Sequence, residues 1–332
     1  MQNSLDEHLQ KLFSVSAIGK HLDMADEASR LMRGQANVEI AGVREDLRII
    51  DDIKIHDITV LNQEGAKKVG KPMGHYITME LPASCNYTEI IDDASGVVAE
   101  VLRPLLPAVR SNGILLIGLG NGHATPDSLG PKVAHMTMAT RHLFQYESNI
   151  CQGLQPLCTL ATGVLGTTGI ETAEIIKGVV QHVKPDAIIA IDALSSASIK
   201  RVGTTIQISD TGIAPGGGVG NKRTAINKKT VGVPVIAIGV PTVVNTLVII
   251  YEALTILQQK WQGQGFINLP PVKEETLIEV SQQLLDIFGG SLMVTPKEID
   301  RLINDMSKIL AAAIAQSVHP GVDKKNYHLY LN

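Results

Sequence analysis

The sequence predicts an α/β fold: a mostly parallel sheet flanked by helices, with a small extra β subdomain. Three observations lead there. The runs Ile114-Leu115-Leu116-Ile117-Gly118-Leu119 and Ala187-Ile188-Ile189-Ala190-Ile191 are continuously apolar, as strands covered on both faces are. From about residue 86 to 257, helical and strand patterns alternate, which is the signature of βαβ units. Composition agrees, at 44% hydrophobic and only 3% aromatic, so the core is aliphatic. A chain of 332 residues suits one large α/β domain, or one domain with appendages.

Taken in order, residues 1 to about 40 are polar and helix-prone, an arm or leader. Residues 53–60 and 76–81 alternate as strands around a turn or short helix at Glu64-Gly65-Ala66-Lys67-Lys68, and form a hairpin or an edge addition to the main sheet. Residues 90–105 suit a helix and 113–119 a strand. Thr125-Pro126 opens another helix, with Thr as cap and Pro in the first turn. Thr168-Gly169-Ile170-Glu171 has capping-box spacing. Strands at 187–191 and 204–209 follow, then a glycine-rich loop. The apolar stretch Val231 to Leu257 is interrupted by Pro234, Pro241 and Asn245, so it divides into a strand at 235–238, a turn and a buried helix, not a membrane span. Thr295-Pro296-Lys297-Glu298 is a second capping box, before a helix whose face is Ile299, Leu302, Ile303, Met306, Ile309, Leu310 and Ala313.

Bulk charge excludes some functions. Net charge is −4 with no Lys/Arg block, so no footprint for nucleic acid is present. Cys85, Cys151 and Cys158 have no metal or redox spacing and suit reduced thiols in the cytoplasm. The first residues lack a basic segment followed by an apolar one, so no signal peptide is indicated. No His/Cys cluster suggests a metal, and no cofactor is implied.

Two acids carry the chemistry. Asp127 follows the first apolar run and Asp192 closes the second, so both fall where parallel strands end and ligands bind. Two carboxylates at one edge can share a proton and activate water, enough for hydrolysis without a metal or a nucleophilic side chain. The alternatives are structural: Asp127 as a first-turn helix carboxylate, Asp192 bonded to nearby amides. Gly118-Leu119-Gly120-Asn121-Gly122 has the wrong spacing for a dinucleotide fingerprint and suits a tight strand-to-helix turn. Asp210-Thr211-Gly212 is the tripeptide of all-β aspartic proteases, out of place in an α/β alternation, yet Asp210 ends a strand and is a candidate for the same cleft. The loop from Ala214 to Arg223 has glycines that admit a close ligand. Asn221, Lys222 and Arg223 at its end suit an acidic group or a phosphate; the alternative is a solvated surface loop. His123 is placed to orient a water or a carbonyl.

Several long motifs resemble the germination proteases of spore-forming bacteria. They are Gly118-Leu-Gly-Asn with Ala124-Thr-Pro-Asp-Ser-Leu-Gly-Pro131, Thr140-Arg-His-Leu-Phe144, Gly163-Val-Leu-Gly-Thr-Thr-Gly-Ile-Glu-Thr172, Lys184-Pro-Asp-Ala-Ile-Ile-Ala-Ile-Asp-Ala-Leu194, Thr205 to Ile213, Gly218 to Arg223 and Gly232 to Val244. Glu64-Gly-Ala, Gly70-Lys-Pro72 and His319-Pro-Gly-Val322 also match, so the resemblance runs from about residue 20 to the C-terminus.

The resemblance implies a fold similar to the hydrogenase-maturation proteases and an endopeptidase that degrades small acid-soluble spore proteins in the spore core. It implies Asp127 and Asp192 as the catalytic pair, a homotetramer, and a self-processing zymogen. Residues 1–23 would be the propeptide, cut between Asp23 and Met24 within Leu22-Asp23-Met24-Ala25-Asp26-Glu27, and 24–332 one protease domain with 45–82 as a β-rich insertion or edge element. No membrane or nucleic-acid partner is implied. The sequence departs from the family pattern at Leu22 (usually Thr), at Gly122-His123 (often Trp or Arg, then Asn), at Ala197 (usually Arg), at Ala214 (usually His) and at Asn245 (usually Asp). The competing readings are a metal-dependent maturation-type protease on the same fold and a non-catalytic homologue that binds spore proteins.

Overall fold

The computed structural model describes residues 40–82, 87–108, 112–146, 151–216, 223–263, 283, 287 and 292–332. It is α/β, with a nine-stranded sheet among these residues in the order β1-β2-β3-β7-β8-β6-β4-β5, and β9 paired to β8. The strands are β1 (Val43–Ile50), β2 (Ile53–Val60), β3 (Gly74–Glu80), β4 (Ile114–Leu119), β5 (Leu157–Gly163), β6 (Ala187–Ser196), β7 (Thr205–Ser209), β8 (Val235–Asn245) and β9 (Met293–Val294). The central part, β5-β4-β6-β8, is parallel, and β7, β3, β2 and β1 continue it antiparallel.

Local chemistry explains the antiparallel extension. Asp51 and Asp52 both adopt positive φ (48° and 62°), the conformation of a two-residue hairpin turn. Helix α1 (Gln63–Val69) is capped by Asn62, whose side chain accepts the Gly65 N–H at 2.9 Å, and is ended by left-handed Gly70. Strand β1, absent from the sequence expectation, is Val-Arg-Glu-Asp-Leu-Arg-Ile-Ile, too charged to show the alternation of a half-buried strand.

In the parallel part, strand parity sorts the core into two layers. Ile114, Leu116, Ile189 and Ile191 face one side with Leu129 and Val133 of α3 (Leu129–Met136), α2 (Tyr87–Leu102) and α7 (Ile299–Val318). Leu115, Ile117, Ile188 and Ala190 face the other with Ile176 and Val180 of α4 (Thr172–Val183) and Val231 of α5 (Lys228–Val231). Helix α6 (Thr246–Gly263) follows β8 directly.

Several expectations change. Strand β6 does not stop at Ile191 but runs to Ser196, because β8 continues beside it and pairs Asp192 with Gly239 and Ser196 with Val244. Strand β8 does not stop at Ile238 but passes through Pro241. Its ladder with β7 ends at Gly239, so on that side the missing Pro241 N–H breaks no pair. Thr125-Pro126 opens only a 3-10 turn, Thr125–Asp127, with no side-chain cap. Neither capping box forms. Thr168 ends a separate short helix and hydrogen-bonds Val164 and Ile170, while Thr295 donates to the Thr242 carbonyl at 2.8 Å. No helix among the described residues is long and apolar enough to cross a membrane.

Candidate functional site

The site begins where β4 stops. Strand β4 ends at Leu119 while β6 runs on, which leaves a step at the carboxyl edge of the parallel strands. The register Gly118↔Ile191 sets Asp192 at the lip of that step. Asp192 is 6% exposed, shares the parity of Ile188 and Ala190, and its Oδ1 accepts the Ala193 N–H at 3.0 Å. Burial of this acid inside a strand, not past a strand's end, is a consequence of the long β6.

Asp127 reaches the same lip through backbone packing. A Cβ on Gly118 would lie 2.2 Å from the Gly130 carbonyl oxygen, and a Cβ on Gly130 would lie 2.2 Å from the Leu119 oxygen and 2.6 Å from the Ile191 oxygen. Two glycines therefore let the start of α3 rest directly on β4 and β6. The turn Thr125–Asp127 packs against β6, β8 and α7. Gly120, at φ 105°, folds the loop so tightly that a Cβ there would stand 2.2 Å from the Asp127 oxygen. The Asn121 N–H then donates to Asp127 Oδ2 at 2.7 Å. Burial raises the Asp127 carboxyl above the usual aspartate value, and the Asn121 N–H offsets part of that rise.

The other predicted residues divide. His123 is on the exposed rim of the same loop, its N–H donating to Asn121 Oδ1 at 3.0 Å. Arg223 Nη1 lies 3.5 Å from Glu171 Oε2, and the Thr224 N–H donates to Glu171 Oε1 at 3.4 Å. Glu171 precedes α4 beyond the carboxyl end of β5, so Arg223 stands at the same edge as the two aspartates. Asp210 does not. Gln207, like Asp192, is level with Gly239, but β7 runs antiparallel. Three residues on, Asp210 is therefore about 10 Å toward the opposite edge. There its Oδ1 accepts the His75 N–H at 2.8 Å, joining β3 to β7. Ala214 is exposed. Ala197 and Asn245 follow the paired residues Ser196 and Val244, so they are neighbours. Asn221, Lys222, Asp23, Met24 and Cys85 lie outside the described residues.

Sequence reasoning did not single out Glu171 or Asn121 as site residues. Glu171 was assigned to a cap, and nothing in its local pattern announces a partner 52 positions later. Gly120 beside Asn121 was the available signal for a backbone donor. Among the described residues no group of three or more His, Cys, Asp or Glu stands together as a metal set. Cys151 is buried and Cys158 half-buried, both unbridged.

A family model described as Germination protease matches residues 17–269 and 264–331. A germination protease of Clostridium perfringens is 42% identical over 319 residues, covering 93% of this chain and 98% of that protein. That of Bacillus subtilis is 38% identical over 352 residues, covering 93% and 95%. The one from Caldanaerobacter subterraneus is 37% identical over 326 residues, covering 96% and 100%. Among solved structures, a NiFe hydrogenase maturation protease from Thermococcus kodakarensis is similar over 66% of this chain and 98% of that one, at 18% identity and a TM-score of 0.35, too distant to support any inference.

Proposed function

The chain belongs to the germination protease family, and from that premise we propose that it begins the degradation of small acid-soluble spore proteins, with Asp127 and Asp192 as its catalytic pair. The observation that carries the assignment is the shared lip: a buried acid on β6 and a burial-raised acid on the turn packed against it. In this reading one of the two carboxylates is ionised and takes a proton from water. The other, protonated, polarises the scissile carbonyl by a hydrogen bond and then passes its proton to the leaving amine. Arg223 and His123 on the same edge, with Asn221 and Lys222, would bind the substrate chain.

The same reading includes a self-processing zymogen in the spore-core cytoplasm. Residues 1–23 are its leader, Asp23–Met24 its cleavage point, 24–332 its protease domain, and a homotetramer its working form. Purified chain beginning at Met24 is mixed with a small acid-soluble spore protein and followed by mass spectrometry, with and without chelator. Discrete cleavage is expected from the parent and not from Asp127→Asn or Asp192→Asn, unchanged by chelator. Cleavage that survives both substitutions overturns the two-aspartate mechanism, and cleavage abolished by chelator favours a metal-dependent one.

A further inference from the structure

Strand β1 is the outer strand of the sheet, paired with β2 alone among the described strands. Its two-residue turn makes Ile50 and Ile53 a hydrogen-bonded pair, so by alternation Arg48, Asp46 and Arg44 also turn their N–H and C=O toward β2. The residues between them, Leu47 and Ile49 among them, turn theirs outward. The side chains of Leu47 and Ile49 are 60% and 62% exposed, unusual for large aliphatics on a long edge strand.

We propose that β1 is a self-association edge: two copies of this chain pair β1 with β1, antiparallel, about a two-fold axis through Leu47. Charge and overlap together select that register, since a pairing centred nearer either end, on Val43 or Ile49, joins only part of the strand. A symmetric pairing must join outward-facing residues to outward-facing residues. Centring it on Asp46 sets Asp46 against itself and Arg44 against Arg48; centring it on Glu45 or on Arg48 sets that charge against itself. Centring it on Leu47 sets Leu47 against Leu47 and places Asp46 of each copy opposite Arg48 of the other.

A separate observation points the same way. Strand β2 sets Asp57 directly across from Asp46, like charge beside like charge, and Asp57 Oδ1 is buried without a hydrogen-bond partner. Arg48 of the second copy would lie beside Asp46, two strand spacings or on the order of 10 Å from Asp57, and would add positive charge to a face on which Arg44 and Arg48 of the same copy already stand diagonal to Asp57. The pairing would run the sheet of one copy into that of the next.

This proposal locates the self-association in the reading above, yet its test measures masses and cross-links, so it stands or falls apart from the hydrolytic chemistry. A strand edge alone is a small interface, so sedimentation of the full chain is followed over a concentration series. Asp46→Arg should weaken association roughly ten-fold, and Asp46→Arg with Arg48→Asp should restore it. Leu47→Cys should give an oxidised dimer above the baseline of the native cysteines, because the paired Cα atoms fall within disulfide range. Ile49→Cys should not, because its copies stand on the order of 13 Å apart. A parent that is monomeric throughout overturns the proposal. So does Ile49→Cys cross-linking as well as Leu47→Cys, or an absence of Leu47→Cys dimer, as would follow if another segment of the chain covered this edge.

Discussion

Asp192 and Asp210 look alike in sequence, each an aspartate that closes a strand pattern, yet the fold treats them oppositely. Asp192 lies in the parallel part of the sheet, where β4, β5, β6 and β8 all point one way and the segments that follow them gather at one edge. There it is buried, with the Asp127 turn packed beside it. Asp210 follows β7, which runs the other way, and it is exposed and engaged by the His75 N–H. Parallel strands concentrate polar groups at one edge and antiparallel strands disperse them, so strand direction separates the two acids where local pattern cannot.

The largest expected effect tests that contrast. Asp127→Asn and Asp192→Asn should each lower kcat on a spore-protein substrate by about 1,000-fold or more, whereas Asp210→Asn should leave it within about three-fold. An Asp210 variant as inactive as the other two would erase the distinction between the halves.

Stability gives the next test. Gly118→Ala forces a methyl into the Gly130 carbonyl, backbone against backbone. It should cost about 2–3 kcal/mol in urea unfolding. Gly70→Ala, in the antiparallel extension, has open space and only a φ of 70° to oppose it. It should cost about 1 kcal/mol. Equal losses would mean that the parallel edge is no more tightly built than the hairpin.

The C-terminal end of α7 supplies a pH test away from the proposed site. His319 is 1% exposed, and its Nδ1 accepts the Gln155 N–H at 3.1 Å, which requires a neutral ring. Burial lowers its pKa from 6.5 to about 4. The unfolded chain therefore binds this proton more readily. Stability is fully present above the ordinary histidine value and lost as pH falls from there toward 4, by up to about 3 kcal/mol. His319→Asn should flatten urea midpoints across that window; an unchanged slope would assign the acid sensitivity to other groups.

The smallest effect concerns the rim. Arg223→Gln should raise KM a few-fold with kcat unchanged, because a half-exposed guanidinium contributes modestly. Glu171→Gln, which releases that guanidinium, should move KM for acidic peptides the other way. A fall in kcat for either would place the pair closer to the reacting atoms than the shared edge suggests.

Much of the parallel half was legible because its signals are local. Continuous apolar runs marked β4 and β6, and the 3.6-residue stripe marked α7. Pairing was not legible. The extra length of β6 depends on β8 continuing beside it, and Pro241 read as a stop although it occupies a stretch of β8 that β7 does not reach. The capping boxes failed because Thr168, Glu171 and Thr295 found other partners. The glycines at 118 and 130 were visible as letters, but their mutual contact is a fact of packing alone.

The join between the two halves also bears on how the chain reaches this state. Strands β1, β2 and β3 meet in local hairpin order, while Glu80 of β3 must find Thr205 of β7, 125 positions later. Closing a loop of that size is slow compared with forming a hairpin. The meander can therefore form early and wait with one side of β3 open until the parallel core has assembled and presents β7. That order makes the docking of Tyr76–Glu80 onto Thr205–Ser209 the expected late event of refolding, and the interval before it the one in which an open β3 would pair with the wrong chain.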